Sequence, residues 1–209
     1  MKITDLTLTY TNTMPGFDKS PARIMEKDGW NASTLTIYSH TGTHIDAPMH
    51  FEASEQTIDE IPVEDFVGKA FVVDVRNVGA SGLITVGHLP ENVIEKFEPG
   101  DSLLLWSGWS AHINTPTYRD DLPRISEELA QWCVHKKAKM LGVEPPSVAD
   151  VNNIEEVTRI HKILLGHVII IEGLTNMESL NSTEVQLIAL PLKIGSGDGA
   201  PARVIAIEN

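Results

Sequence analysis

The chain has 209 residues, of which 42% are apolar and 22% charged, and these values are typical of a globular protein with a hydrophobic core. The charged residues, 16 Lys and Arg against 29 Asp and Glu, give a net charge of −13. Such a surface repels phosphate backbones and anionic lipid, which argues against a nucleic-acid or membrane partner. The length predicts a single domain over residues 1–209.

Strand-like patterns recur along the whole chain. Leu6, Leu8 and Tyr10 alternate with polar residues, as do Leu35 and Ile37, so both stretches are predicted to be half-buried strands. Short apolar runs bounded by Gly or Pro predict six further strands. These runs cover residues 70–75, 102–106, 140–143, 168–171, 185–190 and 203–207.

Helix signals are fewer. Ser126 precedes two glutamates, which predicts a helix that begins there and runs to about residue 139. Asn153 and Glu156 resemble a capping box and predict a helix that continues through Leu164. A weaker pattern covers residues 91–97. About eight strands and three helices predict a mixed α/β domain.

Most of the chemical information lies in residues 40–50, which read HTGTHIDAPMH. Imidazole and carboxylate groups together are ligands for zinc, manganese or iron. His40, His44, Asp46 and His50 all occupy even positions, so an extended chain would turn the four side chains toward one side. A set of polar side chains in a surface loop would not need this phasing. The pattern therefore predicts a metal site.

Distance constrains that site. In a straight strand the Cα atoms of His40 and His44 would lie roughly 13 Å apart, too far for two imidazoles that share one ion. Either the chain bends at Gly42, or the site holds two ions, or both.

Further ligands are expected from elsewhere in the chain. Glu172 ends the apolar run HVIIIE, and a carboxylate in that position is costly to bury without a cation or a hydrogen-bond partner. His161 lies in the helix predicted after Asn153, and His167 is a rival at a similar distance. The residues alone do not choose between these two histidines.

Several other motifs fail or have ordinary interpretations. No G-x-S-x-G or H-E-x-x-H motif occurs. Residues 195–200 match a loose dinucleotide-binding pattern, but a strand-like run follows where a helix is required. The single cysteine, Cys133, is expected in the core. With one cysteine and no apolar signal-peptide segment in the first ten residues, a cytoplasmic location is expected.

The run from His40 to His50 resembles the signature of the cyclase family of metal-dependent hydrolases, which includes bacterial kynurenine formamidases (arylformamidases) and isatin hydrolases. The resemblance extends over nearly the whole chain, through residues 141–150, 161–165, 172–176 and 197–203. It implies a compact mixed-sheet α/β domain of the swivelling β/β/α type that forms a homodimer or a larger homo-oligomer.

The resemblance also implies roles for individual residues. The matched metal ligands are His40, His44, Asp46, His161 and Glu172, and they would hold one or two zinc ions or manganese instead. His50 matches the proton-transfer residue.

Three departures from the family pattern bear on the substrate. Met14 stands where formamidases place a tryptophan at the pocket wall, and Trp106-Ser-Gly-Trp109 replaces Arg-Thr-Gly-Trp. Met14 and Trp109 are the predicted substrate-binding residues. The interval from His161 to Glu172 is one residue shorter than usual, which keeps His167 as an alternative.

The activity that the resemblance implies is hydrolysis of an amide-type C–N bond by metal-activated water. N-formylkynurenine, an intermediate of tryptophan catabolism, is the expected small-molecule substrate. A cyclic amide such as isatin is the alternative. A non-catalytic metal-binding protein is a third interpretation, but structural zinc sites favour Cys and His ligands, and this segment is rich in carboxylate.

Overall fold

The computed structural model describes residues 1–208, which form a mixed α/β structure around one large sheet. The strands are β1 Lys2–Asp5, β2 Phe17–Arg23, β3 Ala32–Ile37, β4 His44–Asp46, β5 Val67–Asp74, β6 Leu83–Ile84, β7 Ser102–Trp106, β8 Arg124–Ile125, β9 Met140–Val143, β10 Ile169–Glu172, β11 Glu184–Pro191 and β12 Gly199–Glu208. The α-helices are α1 Met25–Asp28, α2 Glu91–Lys96, α3 Pro116–Asp120, α4 Glu127–His135 and α5 Ile154–Leu164. Short 3-10 helices cover Pro48–Phe51, Val63–Phe66, Val86–His88, Trp109–His112 and Met177–Ser179.

Eight strands form the large sheet in the order β1-β12-β11-β5-β7-β9-β10-β4. Strand β4 pairs with both β10 and β12, so the sheet closes on itself into a barrel-like arrangement. The neighbours β5, β7, β9 and β10 are parallel, whereas the other pairings are antiparallel. The predicted mixed α/β architecture is confirmed.

Two hydrophobic clusters lie on opposite faces of this sheet. Along β5, Ala70 and Val72 belong to one cluster, and Phe71 and Val73 belong to the other. The second cluster also contains buried residues of α2, α4 and α5, so the helices cover that face. Burial on both faces explains why the parallel strands read as continuous apolar runs.

Several local predictions are corrected. The first strand ends at Asp5, and the buried residues Leu6 and Leu8 lie beyond it in a segment that makes one isolated bridge, from Thr7 to Leu174. Further hydrogen bonds hold this segment, such as the one from the Leu6 amide to the Val204 carbonyl at 2.9 Å. Leu35 is in a strand as predicted, but it is 52% exposed because β3 pairs only with β2 in a separate hairpin.

The helix that begins after Ser126 ends at His135, about four residues before the predicted end. The predictions for 91–97 and for the helix after Asn153 agree with α2 and α5. Strands β2, β4, β6 and β8 and helices α1 and α3 were not predicted. Among residues 1–208, no helix is both long and apolar enough to cross a membrane.

Candidate metal centre and substrate cavity

The segment 40–50 bends sharply before β4. Gly42 has φ of +62°, a conformation that side chains disfavour, and a Cβ there would lie 2.8 Å from the Tyr10 ring. The predicted bend at Gly42 is confirmed. The expectation that one extended chain aligns the four side chains is wrong, because only residues 44–46 are extended and His50 lies in the 3-10 helix Pro48–Phe51.

Four side chains that we call the inner group meet between β4, β10 and α5: His44, Asp46, His161 and Glu172. All four are buried. His44 and Asp46 lie on one face of β4, while Ile45 between them points into the apolar cluster on the other face. Strand pairing sets Glu172 directly opposite His44, and α5 supplies His161 from the helix side.

The inner group forms a closed ring of polar contacts. His44 Nε2 lies 3.3 Å from Glu172 Oε2 and 3.5 Å from Asp46 Oδ1. His161 Nε2 lies 3.5 Å from Glu172 Oε1 and 3.6 Å from Asp46 Oδ2. Four ligand atoms that surround one ion tetrahedrally, each about 2.1 Å away, are themselves about 3.4 Å apart. His44, Asp46 and Glu172 each offer one ligand atom close enough to share a divalent cation, and His161 contacts the other oxygen of each carboxylate.

Hydrogen bonds to the main chain orient both imidazoles of the inner group. Nδ1 of His44 lies 3.0 Å from the Gly42 carbonyl, and Nδ1 of His161 lies 2.7 Å from the Val157 carbonyl. These bonds direct each Nε2 toward the carboxylates, as in metal sites where the second ring nitrogen is held by a backbone oxygen. Within residues 1–208, the buried His44 Nε2 and Asp46 Oδ2 have no hydrogen-bond partner, which a bound cation would supply.

Electrostatics in the inner group favour charge separation. Burial alone would lower the pKa of the two histidines and raise the pKa of the two carboxyl groups. Attraction between the opposite charges outweighs burial, so the pKa of each imidazole is raised and the pKa of each carboxyl group is lowered. The raised pKa favours the protonated form of each imidazole, and metal binding, which needs the neutral form, would release those protons.

A second set, which we call the outer group, consists of His40, His50 and Asp198. His40 Nδ1 lies 2.8 Å from Asp46 Oδ1, and its Nε2 lies 3.0 Å from Asp198 Oδ2. The ring of His50 stacks on His40 at 3.7 Å, with Nδ1 3.8 Å from Asp198 Oδ2. A Cβ on Gly199 would lie 2.7 Å from the His40 ring, so this glycine makes room for the imidazole.

The two histidines of the outer group differ in their pKa. Burial would lower the pKa of His40, but hydrogen bonds to Asp46 and Asp198 raise it to about 9. For His50, burial lowers the pKa and the attraction of Asp46 does not offset it. His50 is therefore neutral at pH 7 and able to accept a proton.

A cavity of about 800 Å³ adjoins the outer group and has His40 and Met14 among its lining residues. Met14, one of the two predicted substrate-binding residues, thus faces the space next to the metal centre. Trp109 does not line this cavity; it is 4% exposed and its indole N–H donates to the Tyr118 carbonyl at 2.8 Å. Because Tyr118 does line the cavity, Trp109 supports the wall from behind.

The two rival histidines occupy different environments in the structure. His161 is buried in the inner group, whereas His167 is exposed in the turn after α5. The residue that sequence reasoning missed is Asp198, which lies in the glycine-rich segment rejected as a nucleotide-binding motif. Its presence in the 197–203 stretch of the family resemblance was the available signal.

The fold and the site together define an α/β protein with a buried His–Asp–Glu centre at a substrate-sized cavity. Residues 4–150 match the family model described as "Putative cyclase". The chain is 30% identical over 182 residues to a kynurenine formamidase of Bacillus thuringiensis (strain Al Hakam), a match that covers 86% of this chain and 81% of the relative. This chain belongs to the cyclase family, and its relatives make it a hydrolase.

Solved structures share the architecture. Isatin hydrolase A from Ralstonia solanacearum superposes with a TM-score of 0.88 at 22% identity, over 98% of this chain and 91% of that chain. A protein described as a potential metal-dependent hydrolase with cyclase activity superposes with a TM-score of 0.77 at 27% identity, over 100% of this chain and 99% of that chain.

Proposed function

We propose that this protein is a metal-dependent arylformamidase that hydrolyses N-formylkynurenine to kynurenine and formate. The observation that carries the proposal is the inner group of two imidazoles and two carboxylates, in which His44, Asp46 and Glu172 lie close enough to share a cation, beside a cavity of about 800 Å³. The similarity to kynurenine formamidases over most of the chain supports the substrate. In the reaction, one water adds to the formyl carbon and the C–N bond breaks.

His44, Asp46, His161 and Glu172 would hold the metal. His40 contacts this group through the 2.8 Å hydrogen bond between its Nδ1 and Asp46 Oδ1. A bound divalent ion supplies Lewis acidity, which lowers the pKa of water and polarises a carbonyl.

His50 moves the proton in this mechanism. Its lowered pKa keeps the imidazole neutral, so it can take a proton from the attacking water and deliver it to the leaving nitrogen. Stacking on His40 holds the ring in place. The charge of Asp198, 3.8 Å from Nδ1, favours the proton on Nδ1 and leaves Nε2 as the base.

Zinc is the proposed metal, with manganese as the alternative. Two imidazoles and two carboxylates suit either ion. Asp46 directs Oδ1 toward His40 and His44 and Oδ2 toward His161, which supports a bridging role in a two-ion site. Metal analysis of protein purified without chelator should find one or two zinc ions per chain; manganese in their place would support the alternative.

Hydrolysis of a cyclic amide such as isatin is the second candidate activity. It is favoured by Met14, which lines the cavity at the position where formamidases carry a tryptophan. A flexible side chain in place of a flat ring removes one stacking surface from the pocket.

The first experiment is hydrolysis of N-formylkynurenine and of isatin by fully zinc-loaded protein, with His44→Ala as the blank. Turnover of N-formylkynurenine that vanishes in the variant is the expected result. Turnover of isatin alone would replace the first activity with the second. If neither substrate reacts although metal is bound, both candidate activities are wrong.

We also propose a cytoplasmic homodimer in which the β2–β3 hairpin contacts a second copy. An isolated two-stranded hairpin is marginally stable in water, yet here it carries Trp30, Leu35 and Tyr38, each more than half exposed. Residues 17–38, which include the hairpin, carry three basic and three acidic side chains and so have no net charge. Two copies can therefore meet there without the charge repulsion that a net charge of −13 causes between other parts of their surfaces.

Light scattering should give twice the chain mass, and a Trp30→Ser, Leu35→Ser double variant should be monomeric. Ile154→Ser, a change at a side chain that is 72% exposed on α5, is the control and should stay dimeric. A monomeric wild-type protein would contradict this proposal.

A further inference from the structure

The cavity beside the metal centre has a distinctive pattern of charge. Among the described residues that line it, the charged side chains apart from His40 are Arg119 and Asp120. The remaining lining residues are apolar, aromatic or neutral polar, such as Met14 and Asn114. A largely neutral pocket with one cation and one anion matches a ligand that carries both charges.

Asn152 fixes this charged pair. Arg119 Nη1 donates to Asp120 Oδ1 at 2.6 Å and to Asn152 Oδ1 at 3.0 Å. The Asn152 amide in turn donates to Asp120 Oδ1 at 3.3 Å. Within residues 1–208, Nε and Nη2 of Arg119 and Oδ2 of Asp120 make no hydrogen bond, so the pair keeps both donor and acceptor capacity for a ligand.

Helix α3, which carries the pair, is anchored through the preceding residue. The Tyr118 hydroxyl donates to the Glu144 carbonyl at 2.9 Å, and the Tyr118 carbonyl accepts from the Trp109 indole at 2.8 Å. These two hydrogen bonds, one at the side chain and one at the carbonyl of Tyr118, hold the backbone next to Arg119 in place. The charged pair is thus presented to the cavity by a fixed support, which limits the ordering cost of ligand binding.

We propose that Arg119 and Asp120 bind the α-carboxylate and α-ammonium groups of the substrate, and so select aryl formamides that carry an amino acid group over neutral cyclic amides. This inference rests on the proposed arylformamidase function and names the residues that determine its specificity. A guanidinium with two free donors binds a carboxylate in bidentate fashion. The free carboxylate oxygen of Asp120 accepts from an ammonium group.

The charge of the whole chain strengthens this assignment. A net charge of −13 repels an anionic group from most of the surface, so a carboxylate needs a local cation. Arg119 supplies that cation at the cavity. Asp120 supplies the opposite charge, so that the pair matches a zwitterionic ligand. Isatin has neither charge and would gain nothing from the pair.

The test measures ligand binding, so it does not depend on turnover. L-kynurenine carries the amino acid group, and 2-aminoacetophenone presents the same aromatic ketone without it. Titration calorimetry of the zinc-loaded Arg119→Gln variant should show kynurenine binding weakened by about 10–100-fold, the range expected for a charged hydrogen-bonded contact. Affinity for 2-aminoacetophenone should be unchanged, which also shows that the variant is folded.

Two matched variants sharpen the test. Arg203→Gln removes an exposed arginine that pairs with Asp5 outside the cavity, and it should leave both affinities unchanged. Asp120→Asn should weaken the binding of kynurenine. It should leave unchanged the binding of a kynurenine analogue that lacks only the α-ammonium group. In turnover of N-formylkynurenine, Arg119→Gln should raise KM and leave kcat nearly unchanged.

The outcomes separate the two proposals. If kynurenine binding depends on Arg119 but N-formylkynurenine is not hydrolysed, the charge recognition stands and the arylformamidase function fails. If Arg119→Gln leaves kynurenine binding unchanged, or weakens both ligands equally, the inference is overturned whether or not N-formylkynurenine is hydrolysed.

Discussion

The inner and outer groups of the site share Asp46 as a contact but differ in how the fold holds them. Every inner side chain is buried and comes from a strand or from α5, so main-chain pairing and helix packing fix its position. The outer side chains come from a turn, a 3-10 helix and a loop, and Asp198 remains 47% exposed. A rigid buried set is suited to hold an ion, whereas a set at the cavity is suited to exchange protons with substrate and water.

The largest effect is expected from the inner group. His44→Ala removes one donor from the ring of contacts and should abolish both metal binding and turnover. The loss of metal should reduce kcat/KM by at least about 10³-fold, since Lewis-acid stabilisation contributes several kcal/mol. Metal analysis and turnover are measured together, with His167→Ala, an exposed histidine, as the control. A variant that keeps full activity would contradict the assignment of the inner group.

His50→Ala should distinguish the role of the outer group in proton transfer from the role of the inner group in metal binding. Because His50 moves a proton and is not needed in the inner ring, the variant should keep its metal and lose about 10²–10³-fold in kcat. The idea would be falsified if metal content and activity fell together, because His50 would then act as a ligand.

Asp198→Asn should have a smaller effect. Asp198 contacts His40 at 3.0 Å and lies 3.8 Å from His50, so it orients both rings without belonging to the inner ring. Partners of this kind are typically worth 10–100-fold, and we expect a loss of about 10-fold in kcat with metal retained. Asp18→Asn on the exposed hairpin is the control. An unchanged rate in Asp198→Asn would show that stacking alone positions the histidines.

The smallest effect concerns stability and pH in the metal-free protein. The pKa of His40 is raised from 6.5 to about 9, so its contribution to stability is fully present below pH 6.5 and is lost as the pH rises through about 9. The stability difference between wild type and His40→Gln should shrink by about 3 kcal/mol between pH 6.5 and pH 10, measured by urea unfolding. A pH-independent difference would exclude the ion pair with Asp46.

Local patterns predicted much of the fold. All six apolar runs lie in strands, four of them in the parallel part of the sheet, whose two faces are both buried, and two in the antiparallel strands β11 and β12. The Ser126 and Asn153 side chains do cap α4 and α5. The β2–β3 hairpin was misjudged for a related reason. Alternation in residues 32–37 signals a strand but does not say what covers it, and here neither face packs on the core.

The sequence by itself placed His40, His44, Asp46 and His50 within eleven residues and so predicted a metal-type centre around residues 40–50. Only the tertiary structure decided which distant residues join it. His161 and not His167 faces Asp46 because His161 lies on the buried face of α5, whereas His167 lies in the exposed turn that follows. Asp198 reaches His40 across 158 positions because β12 pairs with β4 and sets Gly199 opposite Asp46. Strand pairing between remote segments depends on how the whole sheet closes, and local sequence patterns do not predict that closure.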